Sequence, residues 1–101
     1  MADSGSIKRS AIIPGVDIDY AVIARVLNAP DLYKRLRTSD EWRRLTKAQR
    51  DNARNTVFPN AKLYAAHGAP KTVNLSDNGF ALWKRLGSIC RQIIERAEGR
   101  T

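Results

Sequence analysis

A long amphipathic segment at residues 77–98 constrains the fold more than any other feature. Ser76 is a suitable N-cap for a helix that starts there, and Gly99 is a typical residue at a helix end. Between them, apolar side chains recur at intervals of three and four residues, so one face of the helix is apolar. They are Phe80, Trp83, Leu86, Cys90, Ile93 and Ala97, with Leu82, Ile89 and Ile94 beside them. A chain of 101 residues has the size of one domain. We therefore assign residues 13–101 to a single mainly helical domain.

The composition excludes several classes of protein. A single Cys cannot form a disulfide framework, and one Cys with one His cannot supply a Cys/His zinc site within the chain. No apolar run is long enough to span a membrane, and the start of the chain has no apolar signal-peptide core. The sequence therefore predicts a soluble cytoplasmic protein with no metal and no cofactor. Lys and Arg total 18 against 10 Asp and Glu, a formal net charge of +8, which favours a polyanionic partner.

Local signals predict short elements before the long helix. Residues 1–12 are polar and lack an apolar pattern that could form part of a core, so we expect a flexible arm there. Apolar spacing predicts a first helix at about 17–28, with Asp17 as its N-cap. Pro30 suits the first position of a second helix at about 30–37.

A third helical stretch is predicted over residues 39–57. Thr38 and Glu41 have the spacing of a capping box at its start, and a second box-like quartet begins at Thr46. The stretch is either one helix or two that meet at Leu45-Thr46, and both alternatives fit the pattern. The sequence Phe58-Pro59-Asn60 predicts its end.

Two alternating runs, Lys62–Ala66 and Lys71–Leu75, predict a β-hairpin around the turn-forming quartet His67–Pro70. Three helices, a hairpin and a helix follow one another in the order of a winged helix-turn-helix domain. The predicted fold class is therefore mainly α with one β-hairpin, in a winged helix-turn-helix-like single domain.

Residues 71–86 resemble the wing strand and following helix of MarR-like winged-helix DNA-binding proteins. An apolar strand is followed by Leu75-Ser76, two polar residues and Gly79, as is common in that family. The resemblance implies a winged-helix fold and DNA binding. The chain departs from the family because the predicted wing lacks the usual acidic residue and arginine, and because it has no long N-terminal dimerisation helix.

A basic stripe on the third helical stretch is the best candidate site. Arg43, Lys47, Arg50 and Arg54 are spaced four, three and four residues apart, which places them within about 60° of arc on one helix. Arg side chains match phosphates and guanine edges with two hydrogen bonds, so the stripe predicts a DNA-binding face. A solvated helix face is the alternative. The predicted DNA-binding residues are Arg43, Arg44, Lys47, Arg50, Arg54, Lys62, His67 and Lys71.

The apolar stripe of the last helix is wider than the roughly 100° that a helix needs to face its own core. It therefore favours a homodimer, although a place in the core of one chain explains the same residues. The predicted dimer interface is Leu82, Trp83, Leu86, Ile89 and Ile93.

No constellation of residues predicts catalysis. Cys90 lies on the apolar stripe, where we expect it to act as a small buried hydrophobe, and His67 stands alone in a turn. We expect a non-enzymatic protein that binds double-stranded DNA, as a transcriptional regulator or an accessory factor in DNA transactions. The alternative is a protein-interaction module that docks its basic face on an acidic protein partner.

Overall fold

The longest element of the computed structural model, which describes residues 10–99, is helix α6 (Asp77–Ala97). The Ser76 side chain accepts a hydrogen bond from the backbone N–H of Gly79 at 3.0 Å and so caps the helix. After Ala97 the chain reaches Gly99, whose φ of 78° suits glycine at a helix end. The predicted helix over 77–98 is confirmed, because both of its ends are specified by local residues.

The N-terminal half begins with strand β1 (Ser10–Pro14), followed by one 3-10 turn and helices α1 (Tyr20–Leu27) and α2 (Pro30–Arg37). Helix α2 has the predicted bounds, with Pro30 in its first turn. Helix α1 starts three residues later than predicted, and Asp17 lies in the 3-10 turn that precedes it.

Strand β2 (Thr72–Ser76) pairs antiparallel with β1, in a register that places Ser10 opposite Ser76 and Pro14 opposite Thr72. The predicted flexible arm is therefore wrong for residues 10–12, which belong to β1. Residues 1–9 lie outside the described part of the chain. Only the second strand of the predicted hairpin forms, and its partner comes from near the N-terminus.

The first strand of that hairpin, Lys62–Ala66, is instead part of helix α5 (Phe58–His67). The run is rich in Ala, which favours a helix, and its short alternation does not exclude one. Leu63 is 51% exposed, whereas Ala61 and Tyr64, three residues apart, turn one face of α5 toward the core. The wing that the hairpin would have made is accordingly not formed.

Two helices and a break occupy the middle of the chain. Helix α3 (Asp40–Arg43) ends before the predicted junction at Leu45-Thr46, and helix α4 (Lys47–Asn52) follows. Thr46 starts α4 with a complete capping box: its side chain accepts the N–H of Gln49 at 3.0 Å, and the Gln49 side chain accepts the N–H of Thr46 at 2.9 Å. Of the two alternatives that the sequence left open, the structure has two helices.

The predicted stop at Phe58-Pro59-Asn60 is wrong, because helical structure continues from α4 through a π-helical turn (Ala53–Val57) into α5. Proline lacks an N–H and its ring crowds the carbonyl four residues earlier. The wider π turn directly before Pro59 changes the hydrogen-bond pattern at that point, which accommodates the proline without ending the helix.

The core lies between α6 and the helices around it. The predicted dimer-interface residues Leu82, Trp83, Leu86, Ile89 and Ile93 are at most 4% exposed, within one chain. That interface is a misassignment, because α1, α2 and β2 pack on α6 and place these five side chains in the core of the same chain. Of the predicted stripe, Phe80 is half-buried and Ala97 is exposed. No helix between residues 10 and 99 has both the length and the apolar character to cross a membrane.

Candidate nucleic-acid interface

Three aromatic side chains from three helices form a packed cluster under one surface. The rings of Trp42 on α3 and Phe58 on α5 are stacked, with centroids 5.8 Å apart and an interplanar angle of 21°. Tyr33 on α2 meets Phe58 edge to face, with a centroid distance of 6.3 Å. Trp42 and Phe58 are buried and Tyr33 is half-buried, so the cluster both joins the helices and reaches solvent.

Positive side chains surround this aromatic cluster. The guanidinium carbon of Arg37 lies 5.0 Å from the centroid of the Tyr33 ring, and that of Arg54 lies 5.8 Å from the centroid of Trp42. Cations over aromatic faces are attracted by the ring quadrupole, which holds these side chains in place. We call the following five residues the basic cluster. They are Arg37, Arg43, Arg50, Arg54 and Lys62.

Hydrogen bonds of Arg50 keep two residues of the predicted stripe, Arg43 and Arg50, together across the break between α3 and α4. Its Nη1 donates hydrogen bonds to the backbone carbonyls of Arg43, at 3.2 Å, and Leu45, at 2.5 Å. The Arg43 carbonyl is at the C-terminal end of α3, where a helix leaves acceptors unsatisfied, and the Leu45 carbonyl lies in the turn that follows. Arg43 and Arg50 are therefore neighbours through a tertiary contact, although they are not on one continuous helix.

The basic cluster has few acidic partners. Among residues 10–99, no ion pair involves Arg37, Arg50 or Lys62. Arg43 pairs with Asp40 at 3.7 Å and Arg54 pairs with Asp51 at 2.7 Å, both at exposed positions. Exposed pairs of this kind are weak and are screened by salt, so they leave both arginines able to contact a phosphate.

Other acidic side chains form ion pairs between elements that are far apart in the sequence. Three ion pairs attach the C-terminal half of the chain to earlier elements: Asp19–Arg91 at 2.8 Å, Glu41–Arg96 at 2.5 Å and Arg25–Glu98 at 2.6 Å. The hydrogen bond from Arg96 lowers the pKa of the Glu41 carboxyl below its usual value of 4.5. Since these carboxylates are engaged by other arginines, they do not neutralise the basic cluster.

Two depressions lie along the basic cluster. One, of about 320 Å³, is lined by Arg37, Trp42, Arg43 and Arg50. The other, a groove of about 360 Å³, is lined mainly by apolar side chains, with two cations among them. Its residues are Leu27, Tyr33, Arg54, Phe58, Pro59 and Lys62. A polyanion laid across this surface would therefore meet both cations and an apolar recess.

Four of the eight predicted DNA-binding residues come together here. They are Arg43, Arg50, Arg54 and Lys62. Lys47 is exposed and pairs with Asp51 at 3.5 Å, and Arg44 is exposed in the turn between α3 and α4. His67 is exposed at the end of α5 and Lys71 is exposed before β2. Within the described residues, neither His67 nor Lys71 lines the two depressions along the basic cluster, and the hairpin that would have placed them there is not formed.

The sequence analysis missed Arg37 and Tyr33. These residues are four apart on α2, so they lie on the same face of that helix. An aromatic residue and an arginine at this spacing are a usable signal, but they lie outside the third helical stretch, where the basic stripe was predicted. The contact with Phe58 could not be inferred, because it depends on how α2 packs against α5.

Cys90 lies within the hydrophobic core. Burial raises the pKa of the Cys90 thiol from its usual value of 9.0 to about 12, and the side chain is fully buried in α6. Cys90 therefore has the expected role of a small buried hydrophobe. In the described part of the chain, no three His, Cys, Asp or Glu side chains lie where they could jointly hold a metal ion.

Comparison with protein-family models, curated proteins and solved structures finds no match to this chain. The geometry and charge of the basic cluster are therefore the basis on which a function can be inferred.

Proposed function

We propose that this chain is a small DNA-binding protein that holds double-stranded DNA through its basic cluster. The observation that carries the proposal is the arrangement of Arg50. Backbone carbonyls fix its guanidinium, and no described carboxylate pairs with it. Neutral acceptors leave the full positive charge of Arg50 in place, beside Arg37 and Arg43.

The geometry suits a phosphate backbone. Arg side chains bind phosphate oxygens with two hydrogen bonds, and each phosphate contact releases condensed counterions from DNA. Lys47, Arg50 and Arg54 are spaced three and four residues apart, so they follow one side of α4 and the π turn. The short helix α3, separated from α4 by three residues, adds Arg43 to these cations. The chain's net charge of +8 would further attract DNA from solution.

The proposed role is that of a transcriptional regulator or an accessory factor in DNA transactions, acting without catalysis. It does not require a winged helix-turn-helix fold. The strand before the last helix is present, but it pairs with β1, so a wing built from residues 62–75 has no part in the proposed contact. The DNA would lie across α2, α3, α4, the π turn and the start of α5.

The test is binding of a fluorescent DNA duplex of mixed sequence at low salt, followed by competition. We expect unlabelled duplex of unrelated sequence to displace the label, and an acidic polypeptide such as polyglutamate to displace it poorly at equal charge concentration. Undetectable duplex binding contradicts the proposal. Displacement by polyglutamate as effective as by duplex would instead favour a protein-interaction module with an acidic protein partner.

A further inference from the structure

The groove beside the basic cluster is chemically distinct from the rest of the surface. Leu27, Tyr33, Phe58 and Pro59 line it with apolar and aromatic groups, which a phosphate backbone alone does not use. We propose that this groove holds one unpaired DNA base, stacked against its aromatic lining. The inference rests on the proposed DNA binding and goes beyond it, since it names the structural feature of DNA that the surface recognises.

The size and lining of the groove fit this ligand. Its volume is about 360 Å³, within the range of pockets that hold small molecules, and such pockets are mostly apolar with a few placed polar groups. A nucleobase is a flat ring with a π-face, and stacking on an aromatic side chain is tolerant of base identity. The groove is therefore suited to a base without a demand for one particular sequence.

The cations of the groove favour a ligand with negative charge. Arg54 and Lys62 line the same groove as the aromatic groups, and no ion pair among residues 10–99 involves Lys62. A nucleotide has a ring that can stack on the aromatic side chains and a phosphate that can pair with the two cations. Proteins that bind single-stranded nucleic acid combine aromatic stacking with a positive channel in the same way. An uncharged aromatic ligand would make no use of these two positive charges.

The Tyr33 ring is already held in position. It meets Phe58 in a T-shaped arrangement at a centroid distance of 6.3 Å, and the Arg37 guanidinium lies over the Tyr33 ring at 5.0 Å from its centroid. A stacking side chain whose rotamer is fixed before binding loses little further entropy when a base arrives. In an intact duplex both faces of each base are covered by its neighbours, so only an unpaired base can reach the groove.

The experiment compares two DNA duplexes that differ only by a one-nucleotide bulge. Wild-type protein should bind the bulged duplex at least about fivefold more tightly than the perfect duplex, the smallest effect expected of one stacked base. Tyr33→Leu keeps an apolar side chain but removes the ring, and should bring the ratio of the two affinities to about one, because any loss of the Arg37 contact with the ring weakens binding of both duplexes alike. Tyr33→Phe keeps the ring and should retain the preference.

A second measurement uses wild-type protein alone and does not depend on the folding of any variant. A fluorescent purine analogue at the bulge should become less accessible to acrylamide when the protein binds, because the groove shields it. Equal affinity for the two duplexes, or unchanged quenching of the bound analogue, overturns the base-binding inference while leaving duplex binding intact. Failure to bind either duplex overturns the proposed function itself.

Discussion

Cys90 lies on the buried face of α6, and its environment decides its chemistry. Desolvation raises the pKa of its thiol to about 12, so the reactive thiolate is disfavoured in the folded protein. Arg50 shows the opposite effect of local structure, because carbonyls at the end of α3 and in the turn that follows hold a charged side chain in place without neutralising it. The role of Cys90 could be predicted from its position on the apolar stripe, whereas that of Arg50 depended on a break between helices.

We predict that Cys90 does not react with an aromatic disulfide reagent at pH 8 in the native protein and reacts fully in denaturant. The free energy of unfolding should also fall as pH rises from 9.0 toward about 12, because the unfolded thiol ionises over this range while the buried thiol stays protonated. Urea unfolding at pH 8 and pH 10 measures this loss, and Cys90→Ala should show a smaller one. Rapid modification of the native protein would contradict the burial of Cys90.

At the scale of elements, locally specified structure could be predicted and long-range pairing could not. Helices α2 and α6 carry their own start signals in Pro30 and Ser76, and the box at Thr46 marks α4. The partner of β2 lies near the other end of the chain, so no local pattern indicated it. Gly15 fits this pairing, because a Cβ there would lie 2.0 Å from the carbonyl oxygen of Pro70.

We predict that Thr46→Ala destabilises the protein by about 1 kcal/mol, the usual cost of losing a side-chain cap. The change removes the hydrogen bond that the Thr46 side chain accepts from Gln49. The melting temperature should fall by about 4–8 °C for a domain of this size. Thr56→Ala is the matched control, since Thr56 is exposed in the π turn and should tolerate alanine. Equal melting temperatures for Thr46→Ala and wild type would show that the box does not stabilise α4.

At the scale of the whole molecule, the apolar residues of α6 form the core and charge is divided between two surfaces. Ion pairs to Arg25, Arg91 and Arg96 engage carboxylates where α6 meets α1 and α3. The basic cluster retains most of its charge. The positive stripe could be predicted from spacing, but its aromatic support could not, because Tyr33, Trp42 and Phe58 meet only through packing.

We predict that Ile93→Asp disrupts folding and does not merely separate a dimer. Ile93 is 2% exposed within one chain, and an unpaired carboxylate there costs about 3 kcal/mol or more. Circular dichroism should show less helix or a strongly lowered melting temperature at every protein concentration. A variant with wild-type helix content and stability, but half the wild-type mass in light scattering, would instead support the predicted dimer interface.

The most direct test of the central claim compares Arg37→Gln with Arg35→Gln in duplex binding over a series of salt concentrations. Both residues are exposed on α2, and neither forms an ion pair within the described residues. They lie about 160° apart around the helix, and only Arg37 belongs to the basic cluster. For wild type, five phosphate contacts predict a slope of log affinity against log salt of about −4 to −5. Arg37→Gln should weaken binding and reduce the slope by about 1, while Arg35→Gln leaves both unchanged. Equal losses in the two variants, or binding that does not respond to salt, would contradict DNA binding through the basic cluster.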